Sequence, residues 1–550
     1  MERGDRFDAI VVGGGHNGLT AAAYLARAGL SVCALERRDV LGGACVTEEV
    51  WPGRRVSRAS YVVSMLQPKV VEDLRLRDFG YDPIPLDPSY GSIADATPLL
   101  FFTDVARTQA SIAQFSKRDA EAYPAFEDLL GRVAAFVRPL MLRPPPAPGS
   151  RRPGDLLAIV REGARAAGLS QREINDVYRV MTLSVADLLD EHFESDLVKG
   201  VLASTGVVGV WAGPRSPGTA YNLLHHALGE LNGVPGLWGH VRGGMGAISQ
   251  AIARSAEAAG AVVRTGAEVA SIEVTDGRAT SVTLADGEEI RAPLVLSGAH
   301  PRTTMLDLVG AEHLPDEVAT DLRRYRTRGG SVKVNLVLSE PPRYADVTDE
   351  EQAMLVRTGV ALCPSIDYLE RSWQDACLGR PAAAPYVEVE VPTSVDPSLT
   401  DDGSTIVTMF TQYGPHDEAG WPEGAREAYG DRCVEILARH APNVPAAILE
   451  REVLAPPDLE RIFGLAGGSI FQGEQDLAQM AFMRPAAMLA GYATPVHGLY
   501  LCGAGTHPGG GVTGCSGHNA AMRALRDRRA ERVRARLRPA RSGRAPAPAG

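Results

Sequence analysis

Lysine is almost missing from this 550-residue chain. It occurs at Lys69, Lys117, Lys199 and Lys333, and arginine carries the rest of the positive charge. With 67 acidic against 56 basic residues the formal net charge is -11, which argues against nucleic acid as a general partner. No uninterrupted run of about 18 apolar residues occurs, so no transmembrane segment is expected. The seven cysteines (Cys33, Cys45, Cys363, Cys377, Cys433, Cys502 and Cys515) form no CxxC or CxxxxC pair. A redox-active disulfide and a zinc centre therefore lack support, and no metal is expected. Cys33 and Cys502 fall within predicted buried strands, where a thiol behaves as a small apolar group. The first strand begins near Phe7, which leaves no room for a signal or transit peptide, so a cytoplasmic location is expected.

What is present is globular in character. Hydrophobic residues make up 45% and charged residues 22%. A chain of this length exceeds one ordinary core, so two or three interleaved domains are expected. Abundant Ala, Pro and Gly beside the arginine preference fits the codon bias of a GC-rich bacterium.

Two glycine-rich turns lie at opposite ends of the chain. Near the start, the apolar run Phe7–Val12 leads into Gly13-Gly14-Gly15-His16-Asn17-Gly18, and a helix follows to about Ala28. In this strand–turn–helix setting Gly13 permits the tight turn, Gly15 lets a pyrophosphate approach the backbone, and Gly18 allows close helix–strand packing. The helix N-terminus, beginning at Asn17, offers N–H groups and a partial positive charge to the phosphates. Glu36 ends the next predicted strand, at the spacing that accepts hydrogen bonds from an adenosine ribose and disfavours a 2′-phosphate. Arg37, then Leu41-Gly42-Gly43 and Ala44, complete a pattern characteristic of FAD rather than NAD domains. Near the other end, a strand reaching Gly503 is followed by Gly509-Gly510-Gly511-Val512-Thr513-Gly514 and a helix. Its N–H groups would face a flavin ring and stabilise negative charge on the reduced form.

Between these ends, Pro144–Gly149 marks an exposed loop and 154–226 reads as mainly helical. A compact unit begins at Gly243-Gly244-Met245-Gly246, with a helix to Gly260 and strands at 262–264, 267–274, 281–284 and 294–299. Strands at 332–338 and 386–391 and a helix near 426–440 follow. Beyond Arg523 the chain is arginine-rich and then Pro-Ala-rich. It reads as a fraying helix with a disordered tail, or as a partner-binding arm.

The segments Glu36–Gly43, Gly243–Gly246 and Gly503–Gly511 together resemble the phytoene desaturase (carotenoid dehydrogenase) family. Ser216–His226, Trp238–Gly246, Ile470–Glu474 and Phe482–Pro485 are most similar to its pyridine nucleotide-disulfide oxidoreductase domain-containing protein 2 branch. Gln472 departs from the histidine expected in many relatives. The resemblance spans nearly the whole chain before the basic tail. It implies an α/β architecture of the p-hydroxybenzoate-hydroxylase type, with a Rossmann-like FAD domain built on a glutathione-reductase-type βαβ unit. That domain would be assembled from residues 1–75, 235–310 and 486–530. It would interleave with a mixed-sheet substrate domain and helical lid from 76–234 and 311–485, ahead of a disordered basic tail at 531–550. Val269 would pass the adenine.

The function implied is FAD-dependent hydride transfer between flavin N5 and a small apolar, isoprenoid- or carotenoid-like substrate. Neither the cysteines nor a second GxGxxG supports the disulfide and pyridine-nucleotide chemistry in the branch name. His225, His226 and His507 are the candidate catalytic residues. For the first two, ordinary helix packing is the competing reading, and for His507 a loop-structuring role. Arg484-Pro485 reads as an anchor for the crossing back to the FAD domain. The alternatives are an amine oxidase and a flavin-stabilised interaction protein. Mitochondrial matrix relatives, with cytochrome c oxidase as partner, lend the latter weight. Docking on a membrane surface stays open.

Overall fold

The computed structural model describes residues 6–146 and 153–537. Two sheets organise it. The first has five parallel strands in the order Val262–Arg264, Val32–Leu35, Ala9–Val12, Val295–Ser297, Leu499–Leu501. Its three inner strands are wholly buried, as a parallel sheet covered on both faces requires. The helix His16–Arg27 packs on it through Ala21, Ala22 and Ala23, beside the helices Gly246–Ala258 and Cys515–Leu537.

The first and last helices cross very closely. A Cβ on Gly517 would stand 2.1 Å from the Asn17 carbonyl oxygen, and the Asn17 side chain accepts the Gly517 N–H at 3.4 Å. Asp8 meets Arg528 at 2.7 Å, and His497 meets Glu531. The last helix therefore continues to Leu537. This corrects the expectation of a disordered tail from residue 531, because alanine and arginine sustain the helix and these ion pairs hold it to the sheet. Residues 538–550 of that tail, and 147–149 of the expected loop, lie outside the described residues.

The second sheet has seven strands: Ile448–Leu454, Ser331–Leu338, Thr405–Gln412, Tyr386–Glu390, Gly359–Leu362, Tyr90–Ala94 and Thr97–Phe101. All pairs are antiparallel except that of Gly359–Leu362 with Tyr90–Ala94. Val332, Val334, Val387, Val389, Val407 and Met409 point to one face, where Tyr429, Cys433 and Leu437 of the helix Ala425–Ala438 cover them. The opposite face looks toward the first sheet. Helices Lys117–Met141, Pro153–Ala167, Gln171–Thr182, Val185–Asp190, Asp196–Val207 and Thr219–His226 form the third layer. No described helix is long and apolar enough to cross a membrane.

Candidate active site

A cavity of about 510 Å³ lies between the two sheets, lined on one side by the N-terminal glycine turn. Gly13 leaves its strand with φ 95°, and a Cβ on Gly18 would stand 2.1 Å from the Gly13 carbonyl oxygen, so helix and strand meet without room for a side chain. In front of Gly15 the space is open, the nearest atom to a Cβ there being the Gly42 carbonyl oxygen at 3.9 Å. The Gly42 N–H donates to the Gly14 carbonyl at 2.9 Å, which lays Gly42 and Gly43 along the first turn. Glu36 is buried, and its carboxylate accepts the Gly14 N–H at 2.7 Å and the Arg38 N–H at 3.0 Å. Each oxygen accepts one of these bonds and so keeps further acceptor capacity, and Glu36 lines the cavity. Asn17, Arg37, Ala44 and Val269 line the same cavity, with Arg37 also donating to the carbonyls of Arg461 and Ile462.

From the C-terminal turn, Gly503, Gly511 and Val512 reach the cavity wall. Thr513 and Gly514 do not. The Thr513 hydroxyl accepts the Cys515 N–H at 3.1 Å and Gly514 turns with φ 73° against Val70, so both serve the start of the last helix.

An open cradle of glycine backbone at a helix N-terminus, beside a carboxylate with spare acceptor capacity, fits a dinucleotide. Polar atoms waiting in the wall fit it too. His16 Nε2, His300 Nε2 and Gln472 Oε1 line the cavity buried and without a hydrogen-bond partner. Burial pushes the His16 pKa down to about 4 and that of His300 to about 3, so both rings are neutral acceptors or donors at pH 7. At position 472 glutamine thus keeps a polar atom where relatives were expected to carry histidine.

The three expected histidines divide. His226 lines the cavity beside Trp238, with Nδ1 on the Asn222 carbonyl at 2.8 Å. His225 lies behind the wall, packed edge-on to Phe471 and beside Gly511, and burial pushes its pKa down to about 3. His507 is bonded through Nε2 to the Leu140 carbonyl at 3.0 Å, off the cavity wall. Arg484 is completely buried and donates to the carbonyls of Phe471, Gly473, Glu474, Ala504 and Thr506, stitching two stretches of the wall together.

Sequence reasoning missed the group with the strongest claim to chemistry. Lys333 lines the cavity from the middle of a strand, 2% exposed, with Nζ donating to the Thr408 hydroxyl at 2.6 Å and 4.2 Å from the centre of the Tyr61 ring. Burial pushes its pKa down to about 7, against the attraction of Glu388, Glu390 and Glu452. At neutral pH its amine is therefore free to accept a proton. Around it, the side facing the seven-stranded sheet carries Tyr61, Met65, Trp238, Phe410, Ile470 and Phe471, a largely apolar lining. Two signals could have found Lys333: the scarcity of lysine, and its place between Val332 and Val334 in a strand.

The sequence profile described as an NAD(P)-binding Rossmann-like domain matches residues 11–74, and that of the flavin containing amine oxidoreductases matches 183–525. The pyridine nucleotide-disulfide oxidoreductase domain-containing protein 2 of Mus musculus is 40% identical, over 95% of this chain and 94% of that protein. A lycopene-forming phytoene desaturase of Pseudescherichia vulneris is 26% identical, over 92% of this chain and 96% of its own length. Among solved structures, cyclohexylamine oxidase from Brevibacterium oxydans shares the fold, with a TM-score of 0.58 at 15% identity over 95% of this chain and 99% of that one. The chain therefore belongs to the flavin containing amine oxidoreductase family, as an FAD-dependent oxidoreductase grouped with the pyridine nucleotide-disulfide oxidoreductase domain-containing protein 2 sequences and more distantly with the phytoene desaturases.

Proposed function

We propose that this oxidoreductase dehydrogenates a small apolar, isoprenoid-like substrate. The observation that carries the reading is the cavity wall itself. Opposite the glycine turn it is aromatic and aliphatic, and Lys333 is the ionisable side chain that the seven-stranded sheet presents to it. In this reading Gly13, Gly15, Gly18, Gly42 and Gly43 receive the pyrophosphate, Glu36 the ribose and Val269 the adenine, with Gly511 and Val512 toward the flavin. When bound, FAD supplies a hydride acceptor at N5. The chain's own share is to orient the hydrocarbon between Tyr61, Trp238, Phe410 and Phe471, to exclude water, and to take a proton at Lys333 Nζ. Loss of hydride and proton from neighbouring carbons leaves a double bond, and the family likeness to phytoene desaturase supports that reaction type.

The test is an anaerobic visible-absorbance titration of the yellow protein with NADH, NADPH, amines and apolar isoprenoids. Bleaching by an isoprenoid is expected. Bleaching by amines alone would turn the assignment to an amine oxidase, and bleaching by NAD(P)H alone to a reductase.

A further inference from the structure

The face of the seven-stranded sheet that brings Lys333 and Phe410 to the cavity also carries, beyond the cavity wall, polar and ionisable groups in register. Glu452, Asn335, Thr408 and Glu390 oppose one another across four adjacent strands, and Lys333, Phe410 and Glu388 form the next row. Opposed residues share a face, so these side chains lie together. Lys333, Glu388 and Glu390 are each at most 2% exposed. Such a row normally faces water. Here the segment carrying Arg58 and Tyr61 closes over it.

The charges in the two rows sort into partners. Arg58 holds Glu452, donating from Nη2 at 2.5 Å and from Nε at 3.1 Å. His240 Nε2 lies 3.3 Å from a Glu390 oxygen, yet both Glu390 oxygens are buried without a hydrogen-bond partner. Lys333 and Glu388, which share a row across Phe410, are each bonded only to hydroxyls. Lys333 donates to Thr408, whose hydroxyl donates on to Asn335 Oδ1 at 2.7 Å. Glu388 accepts from Tyr61 and from Tyr386, both at 2.7 Å, and more distantly from Tyr90, which itself pairs with Ser204. Tyr61 belongs to both groups, with its hydroxyl on Glu388 and its ring beside the Lys333 ammonium position.

We propose that Glu388 is the positioning residue of Lys333: held by Tyr61 and Tyr386, its carboxylate supplies the counter-charge that allows the buried amine to receive the substrate's proton. The inference rests on the dehydrogenation reading above. In the step it serves, one substrate C–H bond gives its electron pair as hydride to the oxidant, FAD. The neighbouring C–H bond breaks, its electrons form the double bond, and its proton passes to Lys333 Nζ, converting NH₂ to NH₃⁺. Without an anion nearby, a new ammonium ion in this apolar wall would be strongly disfavoured. Burial pushes the Glu388 pKa up to about 7, with Glu390 adding to the rise and Tyr386, Tyr61 and Lys333 opposing it, so its charge too is available near neutrality.

The scarcity of lysine makes the test direct, since FAD-loaded protein labelled with [13C]lysine gives four side-chain signals. The Lys333 resonance, identified by its loss in Lys333→Met, is followed against pH in wild type, Glu388→Gln and Tyr61→Phe. Its midpoint is expected near neutrality in wild type and lower by about one pH unit in Glu388→Gln, the effect of one charge two strand spacings away. Tyr61→Phe, which removes one donor from Glu388 and leaves the rest of the row in place, should shift it in the same direction by less. Lys69, Lys117 and Lys199 should not move, a control that a general loosening of the fold would fail. An unmoved Lys333 midpoint in Glu388→Gln, or in Tyr61→Phe if the first variant does not fold, overturns the proposal. A shifted midpoint in a protein that no apolar compound bleaches refutes the dehydrogenation reading and leaves the Glu388–Lys333 coupling standing. Bleaching with an unmoved midpoint does the reverse.

Discussion

Lys333→Met removes a buried amine while keeping nearly the same side-chain volume, and its thermodynamic effect has a definite pH window. In the folded chain burial lowers the Lys333 pKa from 10.5 to about 7. Between those values the unfolded chain carries one proton that the native chain lacks, so wild-type stability rises with pH across that interval and is flat in this contribution below it. Each pH unit is worth about 1.4 kcal/mol, so the ceiling over the whole interval is about 5 kcal/mol, and about 2.7 kcal/mol between pH 7 and pH 9. Glu388 strengthens the contrast. Without the lysine charge its carboxyl ionises later, so the variant loses stability over the range in which wild type gains it. Using about 2.1 cal/mol/K of unfolding entropy per residue, the 550-residue chain should show a melting difference that widens by about 2 °C in favour of wild type between pH 7 and pH 9. Intrinsic tryptophan fluorescence during thermal ramps at pH 6, 7, 8 and 9 reads this out. Melting curves that stay parallel from pH 7 to pH 9 would mean that Lys333 is charged in the folded protein, and the assignment of a free amine base would fall.

Three other perturbations separate the parts of the site. Gly18→Ala drives a methyl group to 2.1 Å from the Gly13 carbonyl and must open the helix–strand contact; FAD retention after gel filtration is expected to fall at least tenfold, and a fully yellow variant would refute the pyrophosphate assignment. Arg484→Met leaves five buried carbonyls without their donor, at a cost of about 3 kcal/mol or more, and urea unfolding should show the midpoint moving down without loss of the first-sheet signal. His507→Gln keeps a donor for Leu140, so the pH profile of flavin reduction should be unchanged, whereas a profile that loses a titration step would return His507 to the catalytic group.

How much was legible in the sequence follows from the range of the interactions involved. The N-terminal turn is a local device: Gly13 turns with φ 95°, Gly18 packs on the Gly13 carbonyl five residues away, and Gly15 between them leaves the space in front open, so their spacing carries the geometry. Glu36 is set by the length of one helix. The histidines were not resolvable in this way, because a helical pair such as His225 and His226 differs by about 100° around the axis, and which of them meets the cavity depends on the packing of Thr219–His226 against remote chain. Lys333 and Glu388 were hidden by the opposite problem. Val-Lys-Val-Asn and Val-Glu-Val-Glu have the alternation of strands with one wet face, and the segment around Tyr61, 327 residues before Glu388, closes over that face. The last helix was cut short in the reading because its arginines suggest solvent, while its ties to Asp8 and His497 are long-range.

The Gly517 crossing over Asn17 and the Arg528–Asp8 ion pair place the final tenth of the chain against its first twenty residues, and the strand Leu499–Leu501 closes the edge of the same sheet. Synthesis on the ribosome proceeds from the other end, so the glycine turn emerges long before the strand and helix that complete its surroundings. During most of translation the first strands lack their neighbours, and pairings of such high contact order form slowly and leave sheet edges open to misassociation. Retention of the prosthetic group is therefore expected to await synthesis of the segment that carries Gly503, Gly511 and Val512. Premature termination a few dozen residues from the end should yield an aggregating, colourless product instead of a shortened enzyme.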